Sequence, residues 1–217
     1  MIEEELRANG WARAGQVLTA AECHDLQLMY DDESHFRSRI SMERYRFGRG
    51  EYQYFRDPLP AVVQRLREAF YSQLAPLACE WMPAEYPSQL NEFLQQCSAA
   101  GQLMPTPLML RYETGDYNCL HQDLYGPVVF PFQVIVALSA VGVDYRGGEL
   151  LLVEQRPRAQ SMGRAIVLEQ GEAVVITTRH RPVRGVRGVY RASVRHGVSP
   201  VLEGRRFTLG VIFHNAE

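Results

Sequence analysis

Lysine is missing from this chain of 217 residues: all 23 basic residues are arginine, against 25 acids, for a formal charge of −2. A GC-rich coding habit explains such a bias, and so does selective recognition of anions by a planar guanidinium. Cysteine is scarce as well. Cys23, Cys79, Cys97 and Cys119 never form a C-x-x-C pair, so a zinc knuckle is excluded. Without an export signal a disulfide scaffold is not expected either. Long apolar runs are also wanting. The uncharged stretches 93–110 and 124–143 approach the ~20 residues of a membrane span, but proline, glycine, glutamine and serine break both. The opening Met1-Ile2-Glu3-Glu4-Glu5-Leu6-Arg7 lacks the basic-then-apolar order of a signal peptide. A cytoplasmic protein with no membrane attachment is expected. There is no internal repeat, and 46% hydrophobic with 22% charged residues is a globular balance.

The small net charge conceals an asymmetry. Residues 1–35 carry eight acids against Arg7 and Arg13, whereas residues 177–206 carry eight arginines against Glu203 alone. Six of these, Arg179, Arg181, Arg184, Arg187, Arg191 and Arg195, form a dense patch. Even spacing at 187, 191 and 195 aligns three of them on one strand face. Such a face suits salt-dependent, sequence-independent contact with phosphates. A solvated outer strand has the same composition.

Hydrophobic spacing divides the chain near residue 104. Residues 1–104 read as helical and part of the same domain as the rest. Thr19-Ala20-Ala21-Glu22 is a capping-box spacing. Val62, Leu66, Phe70, Leu74 and Ala78 recur at i+4 in a helix over 59–81 that Pro76 kinks or ends. A third helix follows Pro87 and stops at Gly101. Between the first two, 42–55 is aromatic and charged and fits a hairpin or a loop. From 105 to 217, β-rich runs at 107–113, 128–139, 149–153, 165–168, 173–178, 189–194 and 206–213 are separated by turns, with no helical period between them. That texture predicts an antiparallel sandwich, barrel or jelly roll with helices packed on it, an α+β chain.

The chemistry centres on His121-Gln122-Asp123 and the distant His196. On extended backbone, residues i and i+2 point the same way. His121 and Asp123 therefore offer a nitrogen and an oxygen to one ion, and His196 completes a two-histidine, one-carboxylate set. That set occupies one face of an octahedral metal and leaves three positions open, as in non-haem Fe(II) oxygenases. Ten residues beyond His196, Arg206 and Thr208 share a strand face and form a clamp for a carboxylate, to which Tyr112 can add a phenol. Arg205 falls on the other face. Metal triad plus clamp is the layout for a 2-oxo acid, chelated at one end and ion-paired at the other. His24 and His35 read as surface residues; His180 and His214 lie nearer the β region. Tyr125, Phe130 and Phe132 either line a substrate pocket or belong to the core.

Residues 107–214 thus resemble the iron(II)/2-oxoglutarate-dependent dioxygenase superfamily, whose fold is a double-stranded β-helix (jelly roll, cupin-like). The H-x-D…H spacing, the arginine ten after the second histidine and the Gly147-Gly148-Glu149-Leu150 turn carry the likeness. Arg111-Tyr112, Gly115 and Leu120-His121-Gln122-Asp123, with His196-Gly197-Val198 and Pro200, are similar to AlkB-like nucleic-acid demethylases. The offset from His196 through Pro200-Val201-Leu202 and Gly204 to Arg206 looks like prolyl 4-hydroxylases instead. Leu110 and Ile212 depart from the AlkB pattern, where an asparagine and a second arginine would stand. The resemblance implies Fe(II) on His121, Asp123 and His196, 2-oxoglutarate on Arg206, Thr208 and Tyr112, and O2 as oxidant. It implies oxidative demethylation of alkylated DNA or RNA, with Tyr125, Phe130, Arg187 and Arg191 as candidate substrate contacts. A prolyl-type peptide hydroxylase, a small-molecule hydroxylase and a non-catalytic nucleic-acid binding module are the alternatives. Oligomeric state is not legible.

Overall fold

In chain order the protein forms α1 (Ile2–Asn9), β1 (Trp11–Gln16), α2 (Ala20–Met29), β2 (Phe36–Ser41), β3 (Gly48–Arg49), β4 (Glu51–Phe55), α3 (Ala61–Trp81) and α4 (Leu90–Ala99). There follow β5 (Leu108–Tyr112), β6 (Tyr117–His121), β7 (Phe132–Ala137), β8 (Tyr145–Gly147), β9 (Leu150–Gln155) and β10 (Met162–Ile166). The chain ends with β11 (Glu172–Thr177), β12 (His180–Gly185), β13 (Gly188–Val198), β14 (Val201–Gly204) and β15 (Arg206–Val211). This computed structural model describes residues 2–217 apart from Leu124, Tyr125 and Arg187.

The larger sheet has the antiparallel order β1-β11-β7-β15-β5-β4-β2. The smaller runs β10-β9-β13-β6-β3, with β12 added alongside β13. The result is the expected jelly roll with helices on its larger sheet. Strand alternation sorts the residues of that sheet. Phe132, Val134 and Val136 of β7 and Phe207, Leu209 and Val211 of β15 join the core beneath the helices. Gln133 and Ile135, with Arg206 and Thr208, face a cavity that the smaller sheet also lines. Trp81 of α3 packs on Phe132 with ring centroids 4.8 Å apart. Both faces of β7 and β15 are covered, so they read as apolar runs in the sequence.

The capping box forms: the Thr19 hydroxyl accepts from the Glu22 N–H, and the Glu22 carboxylate accepts from the Thr19 N–H. Helix α3 runs on through Pro76. The first hundred residues are not purely helical, however. Strands β1, β2 and β4 extend the larger sheet, with β1 on β11 and β4 on β5. The signal of β1 and β4 is weak because partners distant in sequence stabilise them. The undecided stretch 42–55 becomes a 3₁₀ turn at Glu43–Tyr45, then β3 and β4. Strands β6, β8, β12 and β14 lie outside the predicted runs.

Two buried polar side chains have partners that the sequence did not show. Arg67 donates to the Ile212 and Phe213 carbonyls and to Asn215 Oδ1, tying α3 to the end of β15. His214, 1% exposed, accepts the Phe130 N–H through Nδ1. Burial lowers its pKa to about 4, helped by the charge of Arg67 and opposed by Asp123. A histidine depressed in this way binds its proton more readily in the unfolded chain, whose value is about 6.5. Its stabilising effect is therefore whole above pH ~6.5 and lost as pH falls towards 4. Between pH 7 and 5 that loss is ~2 kcal/mol. In thermal melts, His214→Gln is expected to show a smaller Tm drop over this interval than the native chain. Equal drops would refute the assignment.

Candidate active site

Strands β6 and β13 are antiparallel neighbours, and their register sets His121 opposite His196, with ring centroids 4.3 Å apart. Asp123, just past the end of β6, turns its carboxylate towards both. His121 Nε2 lies 3.4 Å from Oδ1 and His196 Nε2 3.2 Å from Oδ2. The three ligating atoms fall within 4.8 Å of one another, and Asp123 and His196 are 8% and 7% exposed. Burial pushes the Asp123 carboxyl up, but the His196 and His121 imidazoles outweigh it and hold it well below the usual carboxylate range. Burial alone would lower His121, yet its hydrogen bond to Asp123 leaves it raised. His121 Nδ1 sits 2.8 Å from the Cys119 carbonyl. A carbonyl only accepts, so Nδ1 carries a proton and Nε2, which faces Asp123, is the nitrogen that would ligate a metal once its own proton is displaced. Two imidazole nitrogens and one carboxylate oxygen on one side of a cavity fit Fe(II).

Arg206 lies on the opposite wall of the same cavity, where β15 pairs it with Tyr112 of β5. It is 5% exposed, and neither Nε nor Nη1 has a hydrogen-bond partner. The buried Tyr112 hydroxyl is likewise without one, and burial raises its pKa to about 12, so it stays protonated. Thr208 is buried two residues along the same strand face. Buried donors left without acceptors are costly. A guanidinium, a phenol and a hydroxyl so placed fit the distal carboxylate of 2-oxoglutarate. The Gly147-Gly148 turn is packed on this arginine: a Cβ on Gly148, which has φ +64°, would meet Arg206 Cδ at 2.8 Å. Arg205 points outward to an ion pair with Glu113 at 2.7 Å. Strand alternation separated the two correctly.

Other candidates are redistributed. Phe130 is fully buried among Tyr71, Phe93 and Phe213 and belongs to the core, away from the metal cavity. Tyr125 and Arg187 lie outside the described residues. Arg181 leaves the proposed patch: it is buried and ion-paired with Glu154 at 2.5 Å. Arg179, Arg184, Arg191 and Arg195 are exposed. On β13, however, Arg191 and Arg195 alternate with the buried Ala192, Val194 and His196, so they face away from the triad. Sequence reasoning missed Gln133, Phe47, Tyr52 and Tyr54, which line the cavity. The i, i+2 spacing of Tyr52 and Tyr54 was the available signal. Phe47 packs on His121 at 6.2 Å, and Tyr45 stacks on Phe47 at 6.3 Å.

Residues 50–216 match the model of the Oxygenase-NA family, described as "Oxygenase, catalysing oxidative methylation of damaged DNA". Two uncharacterised proteins of Mycobacterium tuberculosis, from strains CDC 1551 and H37Rv, are each 52% identical over 164 residues, covering 73% of this chain and 70% of theirs. A Pseudomonas putida prolyl-4-hydroxylase has a similar fold, with TM-score 0.59 and 14% identity over 99% of this chain and 98% of its own. A 2OG-Fe(II) oxygenase family oxidoreductase from Burkholderia pseudomallei superposes with TM-score 0.58 and 15% identity over 99% and 91%. Among the described residues, no helix is long and apolar enough to cross a membrane.

Proposed function

Because the chain belongs to the Oxygenase-NA family, within the iron(II)/2-oxoglutarate oxygenases, we propose that it oxidatively removes alkyl groups from damaged nucleic acid presented as an unpaired strand. The observation that carries this reading is the aromatic ladder at the cavity. Tyr45 is 51% exposed and stacks on Phe47, which in turn packs on His121. Arg44 and Arg46 flank the ladder and are exposed, and Arg44 lies over the Tyr45 ring at 5.8 Å. Aromatic faces with interleaved arginines suit an unpaired strand, whose bases stack while its phosphates take the charges. A base on this ladder would lie beside a metal ligand, as chemistry on an extruded or single-stranded base requires.

Bound iron with 2-oxoglutarate supplies oxygen activation, the co-substrate leaving as succinate and CO2. The chain's own residues bind and orient. His121, Asp123 and His196 would hold the metal on one face, and Arg206, Tyr112 and Thr208 would anchor the far carboxylate of the co-substrate. Phe47, Tyr52 and Tyr54 would limit water and aim the alkylated base. Insertion of one oxygen atom into a C–H bond of the N-methyl group would give N–CH2OH, which breaks down to N–H and formaldehyde.

The test uses an oligonucleotide carrying an N-methylated base, with Fe(II), ascorbate and 2-oxoglutarate, following succinate and formaldehyde together. Stoichiometric release of both supports the reading. Succinate formed without formaldehyde from a proline-containing peptide, and none from the oligonucleotide, would assign the chain to peptide hydroxylation instead. Base–aromatic stacking is worth ~1–3 kcal/mol. Tyr45→Ala is therefore expected to raise KM for the oligonucleotide about tenfold, while 2-oxoglutarate decay without a prime substrate stays within about twofold of the native chain.

A further inference from the structure

Gln133, on the cavity face of β7 and 4% exposed, touches two members of the triad. Its Nε2 lies 2.7 Å from Asp123 Oδ2 and 3.1 Å from His196 Nε2. An amide nitrogen carries two hydrogens and offers no acceptor. One hydrogen is directed at the carboxylate oxygen, and His196 Nε2, itself 3.2 Å from the same Asp123 oxygen, packs against the amide. The flipped amide would press Oε1 against the carboxylate, acceptor on acceptor, so the orientation is determined by its surroundings. The two histidines also differ in what fixes their protons. His121 is set by the Cys119 carbonyl at Nδ1. His196 Nδ1 has no hydrogen-bond partner, and its Nε2 lies between the Gln133 amide and Asp123 Oδ2.

We propose that Gln133 is a positioning residue for the metal centre. It occupies Asp123 Oδ2 so that the carboxylate binds through one oxygen only, and its amide packs against the ligating face of His196. When a metal takes Nε2 of His196, the longer contact is given up and the shorter one to Asp123 is kept. The consequence is a coordination count. A carboxylate free to bind through both oxygens would fill one of the three positions that 2-oxoglutarate and O2 need, whereas one pinned by Gln133 leaves all three open. Second-sphere partners of metal-bound carboxylates are worth ~10–100-fold in affinity or activity.

The proposal rests on His121, Asp123 and His196 being the metal ligands, and the experiment keeps the two ideas apart. Gln133→Met preserves length without a donor, and Gln133→Glu preserves shape while replacing the donor by acceptors. Mn(II) affinity is read by electron paramagnetic resonance, and 2-oxoglutarate binding by the visible spectrum of the Co(II)-loaded protein. Gln133→Met is expected to weaken Mn(II) binding about tenfold, to alter the Co(II) spectrum before any co-substrate is added, and to weaken 2-oxoglutarate binding. Gln133→Glu should lose more than Gln133→Met. Values for Gln133→Met within twofold of the native chain, with an unchanged Co(II) spectrum, overturn the role of Gln133. Asp123→Ala tests the ligand set itself: retained Mn(II) affinity there removes the premise. Should the variants not fold, the side-chain amide resonances of Gln133 in the native chain decide. Saturating Zn(II) is expected to shift one amide hydrogen of the pair, and two unmoved resonances count against the proposal.

Discussion

Asp123→Ala is expected to bring succinate formation to background and to weaken Mn(II) binding by at least ~1000-fold. Asp123 is the anionic member of the triad; His121 and His196 bring neutral nitrogens. Attraction between a divalent ion and a carboxylate at contact exceeds ~4 kcal/mol even at an effective dielectric of ~20. At ~1.4 kcal/mol per factor of ten, that accounts for the expected loss. The protein should stay folded. Asp123 lines the cavity, so its truncation enlarges existing space rather than opening a void in the apolar core. Circular dichroism melts of the metal-free protein check this point, and a Mn(II) titration checks the first. An Asp123→Ala chain that binds Mn(II) within tenfold of the native protein would exclude the triad as the metal site.

This site was legible in the sequence because its residues obey strand arithmetic. His121 and Asp123 stand two apart, and so do Arg206 and Thr208; each pair shares a face whichever strand it joins. Arg205 was excluded by the same rule, and its ion pair with Glu113 agrees. What the sequence withheld depends on register between distant strands. Gln133 lies ten residues beyond Asp123 in an apolar run, and only the position of β7 beside β15 turns it towards the triad. The arginine patch shows the opposite error. Its even spacing was real, but Arg181 has a buried partner in Glu154, and Arg191 and Arg195 face away from His196. Phe130, read as either pocket or core, precedes β7 and lies in the core among Tyr71, Phe93 and Phe213. The strands β1 and β4 were hidden because they join the sheet through β11 and β5, partners far along the chain.

Arg206→Met is the second large effect, and it should appear in 2-oxoglutarate binding rather than in metal binding. Nε and Nη1 of Arg206 have no acceptor, although the side chain is buried between Tyr112 and the Gly147-Gly148 turn. A carboxylate placed there would receive two charge-assisted hydrogen bonds, each worth ~1.5–3 kcal/mol. Losing both is expected to raise the 2-oxoglutarate KM by ~100-fold or more, while Mn(II) affinity stays within about threefold. Arg206→Lys should fall between, because an ammonium keeps the charge but cannot present two parallel donors. Thr208→Val should cost less, near the ~1 kcal/mol of a single neutral hydrogen bond. Stability should move the other way. An unpaired buried guanidinium opposes folding, and methionine fills similar volume without that penalty. The co-substrate-free Tm of Arg206→Met is therefore expected to equal or exceed that of the native chain, while the further rise in Tm on adding 2-oxoglutarate to the Mn(II)-loaded protein disappears. A lower Tm together with unchanged co-substrate binding would make Arg206 a core residue; the expected pair of results identifies a residue kept for binding at some expense to stability.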